Sequence, residues 1–270
     1  MASGLRQRVV TALLLAAVVV AVLLAMPPAA AVAVVVVVVL AGAWEWAGFA
    51  GCLQSAARVA YVAAVGVAIL AAWRFTSDAA GLAVFLRTTV LWWLIASVWV
   101  VFAPRRGGRV AAAVAGFVVL VPAAIGLARL ALVEPQGRVL LLYLIVMIAA
   151  ADVGAYFGGR SLGRHKLAPS VSPGKTWEGF VAGIAGAAVA AVFGAAIFGQ
   201  PTLAWLAVCV PVALLSVVGD LVESMFKRRA GLKDSGGLLP GHGGVLDRID
   251  SMTAAAPAFL LALQLIGVAA

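Results

Sequence analysis

A chain of 270 residues that is 65% apolar and only 11% charged, with a mean hydropathy of +1.16, is not a water-soluble globular domain. Its net charge of +9 suits nucleic acid at first sight, but the distribution of the charges, set out below, argues against that partner. Cys52 and Cys209 stand far apart in apolar or near-apolar sequence and read as core thiols, with neither a disulfide framework nor metal-ligand spacing.

Repeated apolar runs of nearly 20 residues predict helices that cross a bilayer. The first spans about Val9 to Met26, longer than the apolar part of a signal peptide and followed at once by another run, so it is expected to be retained. The second, about Ala29 to Ala43, ends at Trp44-Glu45-Trp46, where Glu45 is expected at the interface, pairing inside the bundle being the alternative. Further runs follow at about Ala57–Trp73, Leu82–Phe102, Val110–Leu130, Val139–Gly158, Phe180–Phe198, Thr202–Val222 and Met252–Ala270. The predicted architecture is all-α, a polytopic integral membrane bundle of about nine transmembrane helices. Residues 1–135 form N-terminal helices and 136–270 a C-terminal catalytic region of one continuous membrane domain. In the sixth run Asp152 lies well inside the apolar sequence, a costly place unless it is paired, with Arg160 for instance, or functional. Gly154-x-x-x-Gly158 and Gly179-x-x-x-Gly183 permit close helix contact. The loop from Gly159 to Trp177 carries His165, read as solvated, and Lys175 in S-P-G-K-T. That turn suits a phosphate but lacks P-loop spacing.

With the N-terminus in the cytoplasm, nine spans put fifteen Lys and Arg residues on the cytoplasmic side and four (Arg74, Arg87, Arg129 and Arg138) on the other. This positive-inside bias accounts for the basic balance without nucleic acid.

The stretch from Asp220 to Asp250 concentrates polar chemistry, with Asp220, Glu223, Asp234, Asp247 and Asp250, five of the chain's ten acidic residues. Asp220 and Glu223 share a helix face with Ser224 and Lys227, and Asp247 and Asp250 repeat the three-residue spacing. Two carboxylate pairs can converge on hard cations. The glycines of G-G-L-L-P-G-H-G-G between them let backbone N–H groups approach a phosphate. Residue types alone leave metal-assisted phosphoryl or nucleotidyl transfer and a solvated loop both open.

The segment S-M-F-K-R-R-A-G-L-K-D-S-G-G-L-L-P-G-H-G-G-V-L-D-R-I-D, Ser224 to Asp250, resembles the signature of phosphatidate cytidylyltransferases, also called CDP-diacylglycerol synthases. S-P-G-K-T-W-E-G at Ser172–Gly179 resembles a second family block, with Gly174 where the family has lysine. D-V-G-A-Y-F-G-G-R at Asp152–Arg160 resembles a third, which favours a site role for Asp152. The resemblance covers about residues 150–255. It implies that CTP and phosphatidic acid give CDP-diacylglycerol and pyrophosphate in phospholipid biosynthesis. Asp220 and Asp247 are then the core metal ligands, with Glu223, Asp250 and Asp152 as further metal-site residues. Mg²⁺ is the expected ion, and a second cation is admitted. Lys227 and His242 join Asp220 and Asp247 as catalytic residues, while Ser172, Lys175, Ser224, Arg228, Lys233, Gly243, Gly244 and Arg248 bind substrate. The expected partners are CTP, phosphatidic acid and membrane lipids, with a homodimer as a candidate assembly. The expected location is the inner (plasma) membrane, the site facing the cytoplasm, where CTP is found. The alternatives are a CTP-dependent polyprenol or lipid-alcohol kinase, which needs a base for its un-ionised acceptor, and a transporter, which calls for paired broken helices in two related halves.

Overall fold

Prolines and short polar caps cut the apolar sequence into helices. In the computed structural model, which describes residue 14, residues 16–238 and residues 243–269, α1 (Ala16–Ala25) is followed by α2 (Pro28–Phe49), whose first-turn proline lacks only an N–H that a helix start leaves unused. After α3 (Ser55–Phe75), Asp78 caps α4 (Ala79–Phe102) by accepting from the Gly81 N–H at 2.8 Å. Next come α5 (Arg109–Ala131) and α6 (Gly137–Leu162). Thr176 caps α7 (Trp177–Ile197), Pro201 precedes α8 (Thr202–Arg229), and α9 (Leu246–Leu265) is the last helix. Seven of them, α2 to α8, are long and apolar enough to cross a membrane. With α1 and α9 they make nine helices among the described residues, the all-α polytopic bundle expected.

Charge misplaces two predicted boundaries. The eighth run was expected to end near Val222, yet α8 continues to Arg229, because its charged face turns inward and is paired there. The last run was expected to start at Met252, yet α9 starts at Leu246. Acidic residues lower local hydropathy but suit the first turn of a helix, and Asp247 stands in that turn. The expected loop 159–177 holds a small antiparallel hairpin, β1 (Lys166–Ala168) and β2 (Ser172–Thr176), with Lys166 opposite Thr176 and Ala168 opposite Ser172.

Small residues set how closely the helices meet. A Cβ at Gly154 would lie 2.6 Å from the Ala182 carbonyl oxygen, and one at Gly179 2.8 Å from that of Ala155, so both G-x-x-x-G segments serve α6–α7 packing. Gly126 of α5 allows the same approach to Pro257 of α9. α9 packs against α8 and against α2, α4 and α5, so the N-terminal and C-terminal helices share one core. Trp46 and Trp99 both pack against Phe226, one tilted and the other edge-on. Tyr143, Trp205 and Phe259 form another cluster, beside the buried free thiol of Cys209, 3.3 Å from the Tyr143 hydroxyl. Apolar side chains also face outward, as with Leu94, Val98 and Phe102 on α4. That suits a surface solvated by lipid.

The loops separate into two groups, as an alternating bundle demands. Arg229 Nε donates to the Pro104 carbonyl at 2.9 Å and Arg228 Nε to that of Val171 at 3.4 Å, while Arg109 packs on Gly51. The loops at 50–54, 103–108 and 163–176, with residues 230–238 and 243–245, therefore meet at one end. At the other end Arg129 donates to the Trp73 carbonyl and Arg138 to that of Met26. Arg6 and Arg8, used in the charge count, lie outside the described residues.

Candidate active site

The last two turns of α8 present Asp220, Glu223, Ser224 and Lys227 along one face, as their spacing predicts. Ser224 Oγ donates to Asp220 Oδ1 at 3.2 Å. The hairpin brings Lys175 across to the same carboxylate, Nζ to Oδ2 at 2.6 Å. Thr176 follows as the cap of α7, so the strand end that aims Lys175 is fixed by the start of a membrane helix. Glu178, in the next turn, accepts from the backbone N–H groups of Arg164 and His165 and lies 2.6 Å from His165 Nδ1, tying down the other side of the hairpin. The S-P-G-K-T-W-E-G block is thus mostly scaffold around one lysine. A Cβ at Gly174 would meet nothing within 4 Å, so the lysine that the family carries there has room.

Lys175 and Asp220 stand at a cavity of about 570 Å³ between α6, α7, α8 and the hairpin. Asp152 of α6 lines it too, close enough to Asp220 for their charges to interact. Ala155, Phe180 and Ile184 supply an apolar wall. The cavity therefore combines charged groups that suit phosphate and cations with apolar surface that suits hydrocarbon.

A second, buried group of charges adjoins it. Lys227 Nζ lies 2.6 Å from Asp247 Oδ1 and 3.3 Å from Glu223 Oε1. The Glu223 contact is an ion pair without hydrogen-bond alignment, and neither Glu223 oxygen has a hydrogen-bond partner among the described residues. Asp247 Oδ2 accepts from the N–H groups of Ser235 (3.0 Å) and Gly244 (2.9 Å) and lies 2.9 Å from Ser235 Oγ. Asp250 stands between the two groups, coupled by charge to Asp220 and Glu223. Gly243 has φ +80°, a left-handed conformation that favours glycine. The Gly244 N–H, expected to face a phosphate, is given to Asp247.

The structure thus brings Asp152, Lys175 and Asp220 to the cavity and joins Glu223, Lys227, Asp247 and Gly244 just behind it. Asp247, expected as a core metal ligand beside Asp220, meets Lys227 on one oxygen and the Ser235 and Gly244 N–H groups on the other. Arg228 turns to a different concavity of about 430 Å³, shared with Arg105, Ser170 and Arg229, and donates to the Leu232 carbonyl at 3.2 Å. Ser172 opens β2, and Lys233 and Arg248 are exposed on the signature loop and the first turn of α9. His242 lies outside the described residues. No three His, Cys, Asp or Glu side chains among the described residues gather closely enough to hold a metal by themselves.

Glu45 is paired inside the bundle, the alternative to a free interfacial carboxylate. It is 3% exposed, and its carboxylate accepts from the Val245 N–H (3.1 Å), the Leu246 N–H (2.8 Å) and Ser235 Oγ (2.9 Å). The available signal was a carboxylate at the end of an apolar run, a costly place for an unpaired charge.

Two carboxylates and a lysine in a largely apolar cavity inside a membrane bundle suit a membrane enzyme of phosphate chemistry. The sequence profile of the cytidylyltransferase family matches residues 6–266, and the chain belongs to that family, as a nucleotidyltransferase. It is 42% identical over 270 aligned residues to the phosphatidate cytidylyltransferase of Pseudomonas aeruginosa, covering 97% of this chain and 98% of that protein. It is 40% identical to that of Haemophilus influenzae, covering 94% and 97%. The similarity therefore extends through the N-terminal helices, well beyond residues 150–255.

Proposed function

We infer that the chain is a phosphatidate cytidylyltransferase, joining CTP and phosphatidic acid to give CDP-diacylglycerol and pyrophosphate. The observation that carries the reading is the cavity lined by Lys175, Asp220 and Asp152 together with apolar side chains, in a chain so similar to proteins of that name. An amphiphile with a phosphate head fits such a space, its acyl chains against Phe180 and Ile184. Lys175 then meets phosphate oxygens, exchanging one anionic partner for another. The lipid phosphomonoester is already largely ionised at neutral pH, so the site needs no strong base to make the nucleophile. One of its oxygens forms a bond to the α-phosphorus of CTP as the bond to the β-phosphate breaks and pyrophosphate leaves. The residues contribute alignment and charge neutralisation.

The donor set fits Mg²⁺. Asp152 and Asp220 offer hard oxygen ligands at the cavity, and Mg²⁺ is commonly held by one or two carboxylates with substrate phosphates supplying the rest. When bound, the ion would neutralise the triphosphate and polarise the phosphorus under attack. Between Glu223 and Asp247 the Lys227 ammonium supplies positive charge, so the proposal requires one ion. We place the site on the cytoplasmic face of the inner (plasma) membrane, supported by the charge bias of the loops at that end. Purified protein given CTP, Mg²⁺ and phosphatidic acid should form CDP-lipid and pyrophosphate in equal amounts. Absence of CDP-lipid from folded protein would refute the reading.

A further inference from the structure

The start of α9 carries Asp247, yet the residue before it, Val245, provides no side-chain cap. The cap comes from α2. Glu45 takes the Val245 N–H on Oε1 and the Leu246 N–H on Oε2, contacts that span 200 and 201 positions of sequence. A carboxylate there also faces the positive end of the helix dipole.

The described residues before α9 are shaped around this carboxylate. A Cβ at Gly236 or at Gly244 would collide with Glu45. Ser235 Oγ lies 2.9 Å from both Glu45 Oε2 and Asp247 Oδ2. A hydroxyl has one proton to donate, and Asp247 Oδ2 already receives two backbone N–H groups, so Ser235 donates to Glu45. A continuous line of contacts then runs Glu45–Ser235–Asp247–Lys227–Glu223, from the second helix to the catalytic face of α8. Glu45 lines neither cavity.

We propose that Glu45 is a positioning residue for cytidylyl transfer: it holds Ser235, Gly244 and the first turn of α9 in register with α8 and touches no substrate. The role in turnover rests on the function proposed above. The loop-holding role does not. It also assigns the N-terminal helices a part in the chemistry, since they supply the anchor.

The test uses full-length protein in lipid nanodiscs and the variants Glu45→Gln, Glu45→Asp and Ser235→Ala. Glutamine keeps the size but turns an N–H₂ toward a donor. The kcat of Glu45→Gln should fall about 10- to 100-fold, the scale of a displaced catalytic geometry, with KM for the lipid little changed. Glu45→Asp, which retains the charge, should recover part of the loss. The melting temperature should stay within about 4 °C of the parent. Ser235→Ala should add little to Glu45→Gln if both act through one line. Amide exchange gives a readout independent of activity: the N–H groups of Ser235 and 244–246 should exchange faster in Glu45→Gln while those of α6 and α7 do not. Unchanged kcat or unchanged exchange in Glu45→Gln overturns the proposal, as does a loss explained wholly by less folded protein. A parent protein that transfers no cytidylyl group refutes the function, and the exchange data then decide the loop-holding role alone.

Discussion

Lys227 offers the sharpest test of how the charged face of α8 survives inside the bundle. Its ammonium lies 2.6 Å from Asp247 and 3.3 Å from Glu223, with side-chain exposures of 10% for Lys227, 11% for Asp247 and 2% for Glu223. Lys227→Met keeps the length and removes the charge. It leaves Asp247 with its N–H donors from Ser235 and Gly244, but takes the neighbouring cation from Glu223, which then faces the Asp250 carboxyl. Breaking a buried pair from one side typically costs about 3–5 kcal/mol, because the remaining charge is buried uncompensated. At about 2–4 °C per kcal/mol for a chain near this size, the apparent melting temperature should fall by roughly 6–20 °C. Adding Glu223→Gln to Lys227→Met should return much of that loss, although neither protein should be fully active. The assay is thermal unfolding of the purified variants in one detergent, read by tryptophan fluorescence. A Lys227→Met protein that melts within about 2 °C of the parent would show that Glu223 is not held as a buried charge, and the reasoning would fail.

Three other predictions follow from the cavity and the loops. Asp220→Asn and Asp152→Asn should each lower turnover about a hundredfold or more at saturating Mg²⁺, with the protein still folded; near-normal rates in either would remove that residue from the metal site. Gly174→Lys should fold normally, because its side chain enters open space, and the added cation beside Lys175 should lower KM for an anionic substrate by about 2- to 10-fold; a raised KM would contradict the placement of phosphate there. Single cysteines at Ser170 and at Lys233, in a background without Cys52 and Cys209, should react with impermeant maleimide only from the cytoplasmic side, and labelling from outside intact cells would reverse the topology.

Periodicity and composition carried much of this in advance. The i, i+3, i+4, i+7 spacing put Asp220, Glu223, Ser224 and Lys227 on one face, and the paired glycines marked where α6 and α7 touch. The missing parts share a physical cause: their partners are remote, or are backbone. Glu45 is satisfied by groups about 190–200 positions away, and nothing adjacent in sequence distinguishes it from an interfacial carboxylate. The backbone N–H groups of Ser235 and Gly244 that hold Asp247 have no residue-type signature. Arg228 sits one position after Lys227, and a 100° step around the helix sends it to a different concavity. The hairpin at 166–176 is too short, and too rich in proline and glycine, to show the alternation of a strand.

The central claim is the identity of the bond made, and position-specific labelling of CTP tests it most directly. Purified protein in nanodiscs containing phosphatidic acid is supplied with Mg²⁺ and CTP labelled at either the α- or the γ-phosphate. Attack by an anionic lipid phosphate on the α-phosphorus puts the α-label into the lipid and releases the γ-label in pyrophosphate, and diacylglycerol cannot replace phosphatidic acid. Transfer of the γ-label to lipid, with CDP as the soluble product and a lipid alcohol as acceptor, would contradict the account and identify a kinase.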